Sequence, residues 1–176
     1  MKLNLGCGRD KKVGYVNVDS SKQVNPDKVW DLEITPLPFE DNSIEEISAE
    51  HVLEHVNRFI PLVHDLWRIS KNGAKINIKV PFYSSWGQYN NPTHVRFFTP
   101  FTFNYFCSEY NYSHQVGTEK PIFSMERVKI NFGIGTSKKV NWLFNPLINL
   151  NHKVYCRFFS YIIPAAEIEY ELKIIK

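Results

Sequence analysis

Lys2-Leu3-Asn4-Leu5-Gly6-Cys7-Gly8 is the stretch on which the fold turns. An apolar run stopped by a glycine is the pattern of a short buried strand. Glycine directly after such a strand lets the backbone turn sharply and pass a ligand with no Cβ in the way. In open α/β sheets, ligands lie beyond the carboxyl ends of the strands, where the strand order reverses. As a dinucleotide fingerprint the motif is incomplete, because the third glycine of G-x-G-x-x-G falls on Lys11. No phosphate-cradling P-loop is present.

Working outward, Tyr15–Asp19 reads as a second strand, Lys28–Leu32 as a weak third and Ile44–Ala49 as a fourth running into a helix through Val56. Pro61 suits the first turn of a helix carrying Val63, Leu66, Trp67 and Ile69, with Asn72-Gly73 as its C-cap. Ala74–Val80 alternates Ile76, Ile78 and Val80 with Lys75, Asn77 and Lys79, which predicts a strand. Residues 81–94 read as a loop, and Thr99-Pro100 as the start of a helix through about Tyr110. Met125–Phe132 and Glu167–Ile175 complete the strands. Strands alternating with helices imply an α/β sheet, mostly parallel, with an antiparallel late strand. Asp19 follows Gly8 by only 11 positions, so the first crossover helix is reduced.

The composition agrees with one domain spanning residues 1–176, with a ligand-binding half at 1–82 and a substrate loop, helices and last strands at 83–176. A chain of 176 residues buries about 70% of its unfolded surface and needs no staple. A net charge of +3 with mixed signs is no nucleic-acid footprint. Cys7, Cys107 and Cys156 form no C-x-x-C pair and leave an odd count, which favours a reducing compartment. The Met1–Leu5 start has no signal-peptide pattern and no run reaches membrane-span length, so the expected location is cytoplasmic. The aromatic load stands out, at 13 Phe, 9 Tyr and 4 Trp.

Four features carry the candidate chemistry. Beside the glycine loop, Asp19 ends the second strand, where a carboxylate can accept both hydroxyls of a ribose. Asp31-Leu32, followed by Leu37-Pro38-Phe39 and Asp41-Asn42-Ser43, can meet an adenine amino group. Glu50-His51-Val52-Leu53-Glu54-His55 falls at the end of the fourth strand. In this order and spacing, over residues 2 to about 82, the set resembles class I S-adenosylmethionine-dependent methyltransferases, and most of all their small type 11-like bacterial and archaeal members.

That resemblance implies a Rossmann-like three-layer sandwich with S-adenosylmethionine as cofactor. It places Gly6, Cys7 and Gly8 under the methionine and ribose, Asp19 at the ribose hydroxyls, and Asp31 with Leu32 at the adenine. It puts Glu50 and His51 beside the sulfonium. Asn4, where an acidic residue is common, would hold the cofactor's amino group through water. His94-Val95-Arg96-Phe97-Phe98-Thr99 looks like the family's acceptor-facing loop.

The expected reaction is O-methyl transfer to a small-molecule or glycan-type acceptor, as in glycan biosynthesis. His94, His51 and His55 are the candidate bases, histidine being the side chain best matched to neutral pH. Tyr83, His94 and Arg96 are the candidate acceptor binders. On a helix His51, Glu54 and His55 would share one face, as metal ligands can, but pairing of Glu54 with Arg58 explains the carboxylate without an ion, and no metal is expected. Two rivals remain: a non-catalytic cofactor-binding scaffold of the same fold, and a nicotinamide-dependent oxidoreductase. The aromatic segment Trp142–Ile163 reads first as a packing element. With Lys138, Lys139, Lys153 and Arg157 nearby, peripheral contact with a membrane or lipid-linked acceptor is an alternative, and a homodimer contact another.

Overall fold

The computed structural model describes residues 1–107 and 113–176. Seven strands form one sheet: β1 (Lys2–Leu5), β2 (Val16–Asp19), β3 (Lys28–Val29), β4 (Ile44–Glu50), β5 (Ser70–Pro81), β6 (Phe123–Asn131) and β7 (Glu167–Ile174). Their order is β3-β2-β1-β4-β5-β7-β6. The first five pair parallel, and β7 runs antiparallel to both β5 and β6. The order reverses between β1 and β4, which puts the glycine loop and His51 at the switch point.

Alternation builds the core. Leu3, Leu5, Ile47, Ala49, Ile76, Ile78 and Val80 are buried on the central strands. Helix α1 (Phe59–Ile69) covers one face with Leu62, Val63, Leu66 and Ile69. Much of the aromatic load joins this core: Phe59 meets Phe98 and Phe103 edge-on or tilted, and Phe103 lies 4.9 Å from Tyr170. Such pairs favour offset and edge-to-face arrangements.

The β1–β2 connection is reduced to turns, as its short spacing predicts. Asn17 organises it, its Oδ1 accepting from Asn4 Nδ2 at 2.9 Å and from the Lys12 amide at 2.8 Å. Several other expectations are corrected. The third strand shrinks to two residues. No helix follows β4: His51 takes a left-handed φ of 52°, its N–H bonds Lys79 O, and only one tight turn forms at Leu53–His55. Helix α1 ends at Ile69, because Ser70 caps it and starts β5, so Asn72-Gly73 lies inside that strand.

The 81–94 loop carries a short helix, α2 (Trp86–Asn90), capped by the Ser85 hydroxyl. A 3-10 turn at Thr102–Phe106 replaces the start of the helix expected from Thr99, and the far end near Tyr110 lies outside the described residues. Glu54 does not meet Arg58. Arg58 donates its amide to Glu33 at 2.9 Å, while Glu54 is buried.

Residues 142–163 form α3 (Asn141–Ile148) and a turn α4 (His152–Val154) that widens into a π-helical turn at Tyr155–Phe159. Only Ile148 and Tyr155 of their apolar side chains are buried, so this segment is mostly surface rather than core. Among the described residues, no helix is long and apolar enough to cross a membrane.

Candidate functional site

A cavity of about 360 Å³ opens at the carboxyl ends of β1, β2 and β4. Gly6, Gly8 and Asp19 line one side, Asp31 and Leu32 another, and His51 with His55 a third. Seven expected residues from four separate stretches thus share one space.

Local geometry explains how. Gly6 has φ +60°, and a Cβ there would collide with Val52 Cγ2, so glycine is required twice over. Gly8 has φ +50° with open space where a Cβ would stand. Its N–H donates to Asp19 Oδ2 at 2.9 Å, and the Ser21 N–H donates to Oδ1 at 2.8 Å. Asp19 is therefore aimed by backbone donors from both flanks, with lone pairs left for a diol. Trp30, Glu33 and Val52 also line the cavity. Glu33 crosses from this wall to cap α1, accepting from the Asn57 amide at 2.6 Å. Burial alone would raise its carboxyl, but the Asn57 and Arg58 donors hold it below its ordinary value.

Other expected residues fall elsewhere. Asn4 Nδ2 is spent on Asp10 O and Asn17 Oδ1, so its side chain braces the loop. Cys7 is buried beneath the loop, its N–H on Val18 O at 3.0 Å. Glu50 pairs with Lys12 at 2.5 Å and lines a separate cavity beside Lys79 and Glu169. Tyr83 donates its hydroxyl to Cys156 O and lies 2.7 Å from Ser160 Oγ, pinning the π-helical turn. Arg96 stacks 4.6 Å from the Phe59 ring centroid in a cavity of about 490 Å³, and burial lowers its pKa.

The histidines divide by partner. His51 lies 3.4 Å from Glu54 and 3.6 Å from Glu167, and these two carboxylates raise it to about 9. Burial would raise Glu167, but His51 and Lys79 hold it below its ordinary value. His94 is half-buried, its Nδ1 3.1 Å from Gln88 O and its Nε2 4.0 Å from Glu54 Oε1. His55 Nδ1 faces Thr93 Oγ1 at 2.9 Å and Thr93 O at 3.2 Å, which leaves Nε2 as the free nitrogen. The His55 and His94 rings meet edge-on at 4.7 Å.

Glu54 sits among all three histidines with both oxygens buried and outside hydrogen-bonding geometry; its charge is balanced by the His51 imidazolium at 3.4 Å. Atoms of Glu54, His55 and His94 come within 4.8 Å of one another, close enough to hold a divalent ion. This grouping replaces the His51, Glu54 and His55 face, which needed a helix that does not form. Sequence reasoning missed Trp30, Glu33 and Glu167. Trp30 and Glu33 flank Asp31-Leu32 and were within reach of that motif, whereas Glu167 arrives from the last strand with no local signal.

No family model matches the sequence, and no curated protein matches it. Solved structures do. A SAM-dependent methyltransferase from Archaeoglobus fulgidus superposes with a TM-score of 0.65 at 16% identity, over 98% of this chain and 85% of that one. An S-adenosylmethionine-dependent methyltransferase from Mesorhizobium loti gives 0.59 at 11% identity, over 98% and 89%. The cyclase SpnF gives 0.59 at 12%, over 99% and 75%. With the strand order and the switch-point cavity, these similarities establish that the chain has the class I S-adenosylmethionine-dependent methyltransferase fold.

Proposed function

We propose that this chain is an enzyme that transfers a methyl group from S-adenosylmethionine to a hydroxyl of a small-molecule or glycan-type acceptor. The observation that carries this reading is the single cavity joining the glycine loop, Asp19, Asp31-Leu32 and the His51/His55 rim. The fit to the cofactor is chemical. Gly8 leaves its backbone bare where a Cβ would stand, an aimed carboxylate suits a diol, and the volume lies in the small-molecule range. The bound sulfonium supplies an already activated methyl group.

The residues then position and deprotonate. Gly6 and Gly8 let the backbone approach the methionine part, Asp19 accepts from the ribose hydroxyls, and Asp31 with the Leu32 backbone meets the adenine. Alignment of acceptor and methyl supplies most of the rate in such a transfer. His51, protonated at neutral pH, holds the charge of Glu54 and Glu167 rather than taking a proton. His94 turns both nitrogens toward protein acceptors and so fixes the loop. His55 keeps Nε2 free, oriented through Nδ1 by Thr93, and is the base for the acceptor hydroxyl. The exposed rings of Tyr89 and Phe97 suit the apolar faces of a sugar.

Calorimetry with S-adenosylmethionine and with NADH tests the cofactor. Binding of NADH alone would overturn the reading in favour of an oxidoreductase. Mass spectrometry of hydroxylated acceptors incubated with chain and cofactor tests turnover. Cofactor binding with no methylated product across sugars and phenols would leave the scaffold alternative in its place.

A further inference from the structure

The surface least explained by the site is the segment at 142–162. Trp142, Leu147, Leu150, Phe158, Tyr161 and Ile162 are all more than half exposed, Leu150 at 84%. Scattered exposed apolar residues are ordinary, but a cluster this dense marks an interaction face. An apolar groove of about 310 Å³ lies within it, walled by Leu147, Leu150, Val154 and Phe159.

Charge identifies the partner. Lys138, Lys139, Lys153 and Arg157 are exposed along the same segment, and no Asp or Glu occurs between Glu126 and Glu167. We propose that this face docks on an anionic lipid surface, with Trp, Tyr and Leu side chains entering the interface and the basic residues meeting lipid headgroups. Apolar and aromatic side chains beside lysine and arginine are the composition of interfacial membrane elements. Pairing with a second copy is disfavoured, because an isologous contact sets the same patch against itself and would oppose basic residues with no acidic partners.

The face also continues to the acceptor loop. Tyr83 stacks edge-on against Tyr161 at 5.7 Å, and its hydroxyl bonds Cys156 O and Ser160. Trp86 and Tyr89 on α2 and Phe97 on that loop are likewise exposed. An acceptor carried on a lipid would reach the site from this side. That last step rests on the methyl-transfer reading, whereas the docking does not.

The test is co-sedimentation of the full chain with phosphatidylcholine vesicles, with and without phosphatidylglycerol. The chain should pellet with the anionic vesicles and be released by high salt. The triple variant Trp142→Ser, Leu150→Ser, Ile162→Ser should lose at least tenfold in partition while keeping its unfolding midpoint, since all three side chains are exposed. A second variant, Lys138→Glu with Lys139→Glu, should lose binding to anionic vesicles specifically. No partition of the parent chain, or partition unchanged in both variants, overturns the proposal. So does a concentration-dependent dimer that the triple variant abolishes, which would assign the face to a second copy. Because the readout needs neither cofactor nor turnover, its failure is separable from failure of the methyl-transfer reading.

Discussion

The Gly8 N–H donates to Asp19 Oδ2 at 2.9 Å, closing the short connection between β1 and β2. One bond thus does two things: it fixes the glycine loop and aims the carboxylate. Asp19→Ala should weaken binding of S-adenosylhomocysteine at least tenfold, about 1.4 kcal/mol. Asp19→Asn, which keeps one acceptor oxygen, should fall between. Calorimetry reads both, and unchanged affinity in the alanine variant would remove Asp19 from the ribose.

Gly6→Ala should cost stability as well as binding. The new Cβ meets Val52 on the cavity wall, and the left-handed φ is strained for any L side chain. Together these predict a loss of roughly 1–3 kcal/mol in urea unfolding. Gly8→Ala shares the strained φ but not the collision, so it should cost less. Equal losses would show that the Val52 contact is not the deciding one.

The sheet was legible where burial forced it. Ile76, Ile78 and Val80 alternate with Asn77 and Lys79 because a one-residue slip would turn them away from the core. The residues that line the switch-point cavity were legible for a related reason: most lie at or just after a strand end. What hid from local patterns were features decided by distant partners. His51 takes a left-handed φ while its N–H bonds Lys79 O, and no window around residue 51 announces that. Asn4 was expected at the cofactor because its sequence position fits, but Asn17 and Asp10 claim its amide. Trp142–Ile163 reads first as a packing element, yet burial of apolar residues is a rule that runs in one direction only, and most of this segment is exposed.

His51 predicts a pH dependence with a definite sign. Its folded pKa, about 9, lies above the ordinary 6.5, so the imidazolium stabilises the folded state. That contribution is complete below about pH 6.5 and is lost as pH rises through 9. Between pH 7 and 10 the parent chain should therefore lose stability that His51→Gln does not. The difference between their urea midpoints, measured across that range, should shrink as pH rises. Parallel curves would show that His51 is not charged in the fold.

Turnover should separate His55 from the buried ion set. On the proposed reading His55→Ala removes the base and should cut kcat by roughly 10²–10⁴-fold at neutral pH. Because Asp19 and the glycine loop are untouched, cofactor affinity should stay within a few fold. His94→Ala should act through the loop, since both its nitrogens face protein acceptors, and so should raise KM for the acceptor more than it lowers kcat. Chelation then distinguishes base from metal. If His55 takes the proton unaided, prolonged EDTA treatment leaves kcat unchanged. Loss of activity restored by a divalent ion would instead assign Glu54, His55 and His94 as ligands, since their donor atoms lie within 4.8 Å of one another.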